Sequence, residues 1–430
     1  MKILQVVHYF PPLGRGGAEL YTYQLSKELL ESHDIRLFFT IPDDNYSGEI
    51  EEGSYNGIPY RALKKNYCTF DKPFHERSSW VEREFSKTLD SFKPDIIHFQ
   101  HLSNLSLALP FLAKKAGVPC CFTLHDFWLL CPRTFFLNSA MKICDSYSLP
   151  RCVDCMQDQI EYYTLSSKGF WAERFAKHCA KLCLNVKKKL TVLLSIGLWR
   201  IYWIKKIFKA VDVFIAPSQF LRTRFVRHGL SPQKIIFIPH GYNTKILSGV
   251  KKTPSQVLRF AFIGTMQFHK GIYVLIDAFN GVAGPHELRL YGSVTPQLSD
   301  DLKKRIKNPH VFVMGELREE DKPTAFSEID VLIVPSICCE SYSLVINEAF
   351  ITKTPVIVSD IGAMAERVKD GEYGFTFPVG NVEKLTEKIQ LFINDFGLKN
   401  SLESHLPEVQ SIETHAEEIV KLYSTLCKME

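Results

Sequence analysis

Two glutamates, Glu340 and Glu348, stand in the stretch "ESYSLVINEAF" with seven uncharged residues between them. On one helix, a rise of 1.5 Å per residue would separate them by about 12 Å. Two carboxylates that act on one glycosidic bond stand about 5–10 Å apart. The spacing therefore favours two contacts along one elongated ligand over a hydrolase pair. The alternative is that Glu340 caps the helix and Glu348 faces solvent, although an unpaired carboxylate among apolar residues is costly.

The backbone between the two glutamates is suited to bind an anion. The N–H groups of Tyr342, Ser343 and Leu344 begin a helix. Free N–H groups at a helix N-terminus attract phosphate. The pattern predicts a ligand with phosphate in its middle and polar groups at both ends.

A glycine-rich turn follows the first apolar run of the chain. Gly14, Gly16 and Gly17 precede a helix that we predict to begin near Ala18. Glycines let a backbone approach a ligand, and the helix N-terminus offers N–H groups to a phosphate. The alternative is a tight turn with no ligand. The turn is not GxGxxG, which weighs against a nicotinamide cofactor.

A lysine and several histidines follow other apolar runs. Lys270 lies in "FIGTMQFHKG", where a point charge suits a diphosphate, although a lone lysine is more often solvated. His125 ends "TLH" at the carboxyl end of a predicted strand, the edge where parallel sheets bind ligands. A lone histidine is more often structural. His8 and His101 are predicted to share the same edge.

Four cysteines, Cys131, Cys144, Cys152 and Cys155, have the spacing C-x12-C-x7-C-x2-C. Four cysteines can hold a tetrahedral zinc that staples a loop, and such a site has no open position for catalysis. The alternatives are free thiols or a disulfide.

Short apolar runs alternate with amphipathic stretches along the whole chain, which predicts parallel strands covered by helices on both faces. Five such runs lie in the first half and six in the second, so we predict an α/β protein with two doubly wound domains. We predict an N-terminal domain at 1–245 with an insertion at about 131–210, and a C-terminal domain at 246–410. A helix at 411–430 is expected to pack back on the N-terminal domain.

The composition is ordinary for 430 globular residues, and the net charge of +5 does not indicate a nucleic-acid partner. The segment 187–209 is basic and aromatic but too short in its apolar part to span a bilayer. It favours a helix in an anionic membrane interface, with a helix packed on the domain as the alternative. The N-terminus is interpreted as a buried strand and not as a signal peptide, so we expect a cytoplasmic protein.

An ordered set of motifs runs through both halves: "GGAE", "HD", "APS", "IPHGYN", "IGTMQFHKG", "ESYSLVINEAF" and "SDIGAMAERV". Outside 131–210, this set resembles glycosyltransferase family 4, the retaining nucleotide-sugar enzymes of the GT-B fold. The resemblance implies two Rossmann-like domains facing a cleft, retention of anomeric configuration and no cofactor required for catalysis, so that zinc would be structural only.

The resemblance also implies roles for individual residues. Glu340 would hydrogen-bond the transferred sugar and His125 would contact that sugar, as the catalytic pair. Gly16 and Gly17 would approach the diphosphate, which Lys270 would pair with. Phosphate would be bound by the backbone of Ser341, Tyr342, Ser343 and Leu344. Glu348 would hold the ribose hydroxyls.

Three positions depart from the family pattern. Thr265 stands where the family often has arginine, Ser343 where it often has glycine, and His240 where it often has asparagine. These departures concern the sugar preference more than the reaction class.

The sequence thus predicts a retaining glycosyltransferase with a UDP- or GDP-linked donor and a saccharide or lipid-linked acceptor. Its place would be cell-surface polysaccharide synthesis at the inner face of the cell membrane. Two alternatives stay open: a nucleotide-sugar epimerase of the same fold and a non-catalytic, membrane-associated glycan-binding protein.

Overall fold

The computed structural model describes residues 1–14, 16–43, 48–65, 77–144, 148–156 and 198–428. The chain divides into two compact units. The first contains Met1–Pro217, Leu221–Pro239 and Glu413–Glu430, and the second contains Ser218–Phe220 and His240–Ile412.

The first unit is built on an eight-stranded sheet in the order β3-β4-β2-β1-β5-β6-β7-β8. All neighbouring strands in it are parallel except the edge pair β3 and β4. The strands are β1 (Lys2–Val6), β2 (Asp34–Pro42), β3 (Ile50–Tyr55), β4 (Ile58–Lys65), β5 (Ile96–Phe99), β6 (Cys120–Thr123), β7 (Val213–Ala216) and β8 (Ile235–Phe237).

Helices join and cover these strands. The helix α6 starts with two residues of the second unit, and α14 starts with the last residue of that unit. The helices are α1 (Gly17–Leu29), α2 (Ser79–Phe92), α3 (Leu109–Lys115), α4 (Leu149–Cys155), α5 (Arg200–Ala210), α6 (Gln219–Arg227) and α14 (Ile412–Leu426).

The second unit is built on a six-stranded, fully parallel sheet in the order β11-β10-β9-β12-β13-β14. Its strands are β9 (Leu258–Ile263), β10 (His286–Tyr291), β11 (Val311–Gly315), β12 (Val331–Val334), β13 (Val356–Ser359) and β14 (Gly374–Phe377). Its helices are α7 (Ile272–Asn280), α8 (Pro296–Arg305), α9 (Lys322–Ser327), α10 (Leu344–Ile351), α11 (Gly362–Arg367), α12 (Val382–Asn394) and α13 (Leu398–Glu403).

The predicted α/β fold class is confirmed, and all eleven predicted apolar runs form parallel strands. Strands β5, β6, β12 and β13 are buried at every position, as expected where helices cover both faces of a sheet. The hairpin of β3 and β4 was not predicted because its exposed edge strand is mostly polar. Its turn residues, Asn56 and Gly57, both have positive φ, and an Asn-Gly pair is the signal that could have revealed it.

Helix α14 is anchored in the first unit by two buried aromatic residues. The hydroxyl of Tyr423 lies 2.6 Å from Nδ1 of His98, and Nε2 of His415 lies 2.7 Å from the hydroxyl of Tyr21. Because buried polar groups are stable only when hydrogen-bonded, these contacts fix the position of the helix.

Helix α5 covers the described part of the segment 187–209, and residues 187–197 lie outside the described residues. Trp203 is only 4% exposed, and the guanidinium of Arg200 donates to the carbonyl of Trp128. Lys205 and Lys209 are exposed on the other side of the helix. The prediction that this helix turns its aromatic residues to a membrane is therefore wrong for Trp203, which packs inside the unit. None of the helices in the described ranges is long and apolar enough to cross a membrane.

Candidate active site

In the second unit, an ion pair joins two of the predicted site residues. Lys270 follows β9 and Glu340 follows β12, the neighbouring strand. Nζ of Lys270 lies 2.7 Å from Oε1 of Glu340, and the hydroxyl of Ser336 donates to the same oxygen at 2.8 Å. The structure thus brings together a lysine and a glutamate that are seventy residues apart.

Both members of this pair are charged. Burial raises the pKa of Glu340, but the Lys270 ammonium and the Ser336 hydroxyl together lower it by more. The pKa of Glu340 therefore lies below its ordinary value. Burial lowers the pKa of Lys270, but the Glu340 carboxylate raises it above its ordinary value. A permanent positive charge and a hydrogen-bond acceptor for hydroxyl groups therefore lie side by side.

Two glycines allow the loops to close around this pair. Gly271 has φ +74°, and a Cβ there would lie 1.8 Å from the carbonyl oxygen of Pro335. Gly362 has φ +63°, and a Cβ there would meet the carbonyl oxygen of Glu340 at 3.0 Å. The backbone N–H of Ala363 donates to that carbonyl at 3.2 Å. The ends of β9, β12 and β13 are thereby held together.

The predicted phosphate-binding backbone lies at the start of α10. Its N-cap residue, Ser343, has φ +68° and ψ +87° in the left-handed region, where the family often has glycine. Nη1 of Arg367 donates to the carbonyls of Tyr342 and Ser343 at 3.0 and 2.9 Å. Because Arg367 turns these carbonyls toward itself, it fixes the peptide groups that precede Leu344.

Arg367 was not singled out from the sequence, although "SDIGAMAERV" contains it. Its guanidinium lies 4.1 Å from the ring centre of Tyr342 and also donates to the side chain of Asn347. Burial lowers the pKa of Arg367. The carbonyl of Ser341, which precedes Tyr342, accepts a hydrogen bond of 2.7 Å from the hydroxyl of Ser218. The loop after Glu340 is therefore held by side chains at both of its ends.

Glu348 lies inside α10 and is 3% exposed. Its Oε1 accepts hydrogen bonds of 2.7 Å from both the ammonium of Lys322 and the hydroxyl of Tyr242. Burial lowers the pKa of Lys322, but Glu348 and Glu319 raise it above the ordinary value. The alternative that Glu348 faces solvent is wrong, and so is the alternative that Glu340 caps α10, which has no side-chain cap. Lys322 and Tyr242 are further residues that the sequence analysis missed.

In the first unit, three histidines occupy equivalent places. His8, His101 and His125 each stand two residues past the ends of the adjacent strands β1, β5 and β6. The rings of His8 and His101 are 4.3 Å apart. The predicted common edge is therefore formed.

His125 is held as a neutral imidazole. Gln100 donates through its Nε2 to Gln5, which leaves Oε1 of Gln100 to accept from Nε2 of His125 at 2.7 Å. Burial, with a smaller contribution from His101, lowers the pKa of His125 to about 3, although Asp126 acts in the opposite direction. His125 can therefore exchange hydrogen bonds with a ligand but carries no charge at neutral pH.

Two carboxylates complete this edge and were not predicted as site residues. Oε1 of Glu19 lies 3.2 Å from Nε2 of His8, and Oδ2 of Asp126 lies 3.2 Å from Nε2 of His101. Burial raises the pKa of Glu19. Both acids stand next to residues that the sequence analysis did name, in the motifs "GGAE" and "HD".

The glycine-rich turn makes room for Glu19. A Cβ on Gly14 would lie 2.9 Å from Cγ of Glu19, and a Cβ on Gly16 would lie 2.6 Å from its Oε2. Gly17 is the first residue of α1. The small size of these glycines is therefore explained by the fold of the turn itself. Their approach to a diphosphate stays a prediction.

The four cysteines of the predicted zinc site are half-buried. The backbone N–H groups of Arg133 and Phe136 approach the sulfur of Cys131, and the Arg133 guanidinium donates to the carbonyl of Cys155 at 3.0 and 3.2 Å. Across the described ranges, no three His, Cys, Asp or Glu side chains are arranged to hold a metal ion. The zinc at Cys131, Cys144, Cys152 and Cys155 stays a prediction.

Comparison with known proteins agrees with this arrangement. Residues 15–183 and 187–246, more than half of the chain, match the family model described as Glycosyltransferase Family 4. Residues 258–395 match the model described as Glycosyl transferases group 1. The first match runs through most of the segment 131–210, which the sequence analysis had set apart from the resemblance.

Similar proteins include a phosphatidyl-myo-inositol mannosyltransferase of Mycobacterium leprae, 27% identical over 60% of this chain and 71% of that protein. A protein of the Klebsiella pneumoniae cps region is 21% identical over 85% of this chain and 87% of its own length. Among solved structures, sucrose-phosphate synthase from Thermosynechococcus elongatus has a TM-score of 0.69 at 18% identity over the whole of both chains. Anabaena HepE in complex with UDP has a TM-score of 0.69 at 17% identity, covering 99% of this chain and all of that one.

At these identities the solved structures show the fold alone, and the fold they share with this chain is GT-B. In both parallel α/β units the polar groups lie at the carboxyl ends of the central strands, where sheets of this kind bind ligands. The chain belongs to glycosyltransferase family 4.

Proposed function

We propose that this protein transfers a sugar from a nucleotide-sugar donor to a saccharide or lipid-linked acceptor with retention of anomeric configuration. The observation that carries the proposal is the ion pair of Lys270 and Glu340 beside the N-terminus of α10. A cation and helix N–H groups favour a diphosphate, and an ionised carboxylate accepts hydrogen bonds from sugar hydroxyls.

The second unit is assigned to the donor. Lys270 and the backbone of Ser341 to Leu344 stabilise the charge that develops on the leaving diphosphate. Glu348, whose Oε2 is hydrogen-bonded to no other described residue, accepts from the ribose hydroxyls. UDP and UDP-glucose are bound by HepE of Anabaena, a structural neighbour, which supports a UDP- or GDP-linked donor.

The proposed reaction breaks the bond between the anomeric carbon and the donor phosphate oxygen. The acceptor oxygen forms its new bond on the same face of the sugar, and its proton passes to the leaving phosphate. Glu340 orients the transferred sugar, and neutral His125 contacts that sugar through hydrogen bonds. Gly16 and Gly17 let backbone approach the diphosphate.

The biological setting is proposed from relatives. One is named a capsular polysaccharide biosynthesis glycosyltransferase, from Staphylococcus aureus, and is 24% identical over 53% of this chain. The mannosyltransferase of M. leprae is named for a lipid acceptor. We propose a role in polysaccharide biosynthesis at the cytoplasmic face of the membrane. The exposed basic side of α5, with Lys205 and Lys209, is suited to anionic lipid headgroups.

The test begins with the purified protein and a thermal-shift screen of nucleoside diphosphates and their sugars. The donor found is then incubated with candidate acceptors. We expect nucleotide release that depends on the acceptor, and a product whose anomeric configuration, measured by NMR, equals that of the donor. Isomerised donor formed without acceptor would support the epimerase, and inverted configuration would contradict retention.

We propose that any bound metal is structural zinc and that catalysis needs none. Elemental analysis should find about one zinc per chain, and Cys152→Ser should lower that content. Brief EDTA treatment should leave the transfer rate unchanged in the presence of donor. Loss of transfer that Mg²⁺ or Mn²⁺ restores would show a catalytic metal.

A further inference from the structure

A cavity of about 570 Å³ lies in the first unit, between α3 and α5 and beside the start of α2. Its volume is in the range of small-molecule pockets, about 300–1,000 Å³. None of the described residues that line it belongs to the candidate active site. We call it the aromatic groove; its lining is Arg77, Glu82, Ala108, Phe111, Leu112, Leu198, Trp199, Tyr202, Trp203 and Lys206.

The walls of the aromatic groove are apolar and aromatic. Phe111 is 43% exposed and Tyr202 is 48% exposed, which is unusual for two large rings on adjacent helices. Trp203 forms a buried wall, and its indole Nε1 has no hydrogen-bond partner among the described residues. A buried N–H group without a partner is costly, so a ligand that accepts a hydrogen bond there would relieve it.

A single ammonium group lies among these rings. Nζ of Lys206 is 4.7 Å from the ring centre of Tyr202, 5.0 Å from that of Phe111 and 5.1 Å from that of Trp203. Within the described part of the chain, no carboxylate pairs with Lys206. The groove therefore offers a charge that an anion can neutralise.

The one acidic side chain of the lining does not supply that anion. Both oxygens of Glu82 accept from the guanidinium of Arg77, and Oε1 also accepts from the hydroxyl of Ser106 at 2.7 Å. Arg77 in turn lies 4.7 Å from the ring centre of Trp203. The described lining contains two cations, Arg77 and Lys206, and one anion, Glu82, so its net charge is positive.

We propose that the aromatic groove binds the first carbons of the hydrocarbon chain of a lipid phosphate, with the phosphate on Lys206. The groove lacks the amide and free carboxylate groups that hold sugar hydroxyls, so its chemistry fits a hydrocarbon chain better than a glycan. Its volume admits a short chain and not a whole long-chain lipid. The choice of ligand rests on the proposed lipid-linked acceptor, and the groove would be where that acceptor's lipid end is held.

The test measures binding of farnesyl phosphate to the full chain by tryptophan fluorescence, since Trp199 and Trp203 line the groove. We expect saturable binding that Lys206→Gln weakens about tenfold, as the loss of one charge-assisted contact predicts. Tyr202→Ala, which shortens an exposed wall, should weaken it as well. The matched control is Lys115→Gln, which removes an exposed charge of α3 outside the lining of the groove and should leave binding unchanged.

The other probes separate possible sources of the signal. Farnesol tests the chain without phosphate, inorganic phosphate tests the anion without a chain, and phosphatidylglycerol vesicles test a membrane surface. The proposal would be overturned if farnesol bound as tightly as farnesyl phosphate, or if inorganic phosphate competed as well as unlabelled farnesyl phosphate. It would also be overturned if only the vesicles bound. Equal weakening by Lys115→Gln would overturn it too. A UDP thermal shift reports on the donor site, so failure of the proposed function is seen separately from failure of the groove.

Discussion

The polar edges of the two units solve the problem of buried ionisable groups in opposite ways. In the second unit, two glutamates are paired with lysines from other elements. Glu340 pairs with Lys270, which follows β9, and Glu348 pairs with Lys322 at the start of α9. In the first unit, the imidazoles are packed together and burial lowers the pKa values of His8 and His125. The second unit thus keeps fixed charges, and the first keeps neutral hydrogen-bonding rings.

The difference teaches what each edge can do. A carboxylate and an ammonium group that are buried together stay ionised because each stabilises the charge of the other. A histidine, whose ordinary pKa lies near neutrality, instead loses its proton on burial. Fixed charges suit the diphosphate and ribose of a nucleotide. Neutral rings suit sugar hydroxyls, which exchange hydrogen bonds without a charge. The predictions below challenge this contrast.

The largest effect is expected from separating the more deeply buried pair. Lys322→Met should lower the free energy of unfolding by about 3–5 kcal/mol, because it leaves the buried Glu348 carboxylate without a cation. Glu348→Gln should cost less, because Lys322 keeps its ion pair with Glu319. The double variant should cost clearly less than the sum of the two single variants. Denaturant unfolding of all four proteins measures this coupling.

The control for this cycle is the exposed pair Lys384 and Glu387, joined at 2.8 Å. Removing either member should cost less than about 1 kcal/mol, as for other surface pairs. If the buried cycle gave no more coupling than the exposed one, the second unit would not depend on its fixed charges.

The pair nearest the proposed phosphate site should affect turnover. Lys270→Ala removes the cation, and the transfer rate should fall about 10²–10³-fold, as when one stabilising donor is lost from an active site. Glu340→Gln should lower turnover with a smaller effect on nucleotide affinity. Lys303→Ala, on the exposed side of α8, is the control. If Lys270→Ala bound UDP or GDP as tightly as the parent, the donor-site assignment would be wrong.

The neutral imidazoles of the first unit should make the folding stability of the protein sensitive to acid. The pKa of His125 is about 3 in the folded protein and about 6.5 in an unfolded chain, so the unfolded state binds the proton first. Stability is therefore full above about pH 6.5 and falls as the pH drops toward 3. By pH 5 the loss from this residue should reach about 2 kcal/mol.

His125→Gln isolates this contribution, since other buried histidines also favour the neutral form. Its unfolding free energy should fall less steeply between pH 7 and 5 than that of the parent. His405→Gln, at an exposed position, should keep the parent's slope. Parallel slopes for His125→Gln and the parent would mean that His125 is not held neutral by the fold.

The sequence predicted the parts of the protein whose signals are local. Runs such as "DVLIVP" are apolar throughout because helices cover both faces of their strands, so periodicity and length sufficed. Glu340 and Glu348 were found together because they lie on one loop and helix. In the structure Glu340 pairs with Lys270 before the helix, and Glu348 pairs with Lys322 from within it. That the two glutamates contact one ligand at two places stays a prediction.

The missing parts are those that depend on pairing across the fold. Lys322 and Tyr242 carry no local signal, and only the three-dimensional structure brings them to Glu348. The close approach of Gly16 to Glu19 was missed for the same reason, because the sequence does not show that the Glu19 side chain folds back against the turn. Arg367 is intermediate, because an arginine inside a quoted motif could have been noticed.

The smallest expected effect concerns Ser343, which precedes α10 with φ +68°. A residue with a Cβ pays about 1–2 kcal/mol in the left-handed region, and glycine does not. Ser343→Gly should therefore raise the unfolding free energy by about 1 kcal/mol, less whatever glycine gains in unfolded-state freedom. Ser341→Gly, outside that region, should not stabilise the protein. Should Ser343→Gly stabilise the chain and also broaden the range of sugars accepted, the serine side chain would be a determinant of sugar choice; an unchanged range would leave the position a matter of backbone conformation alone.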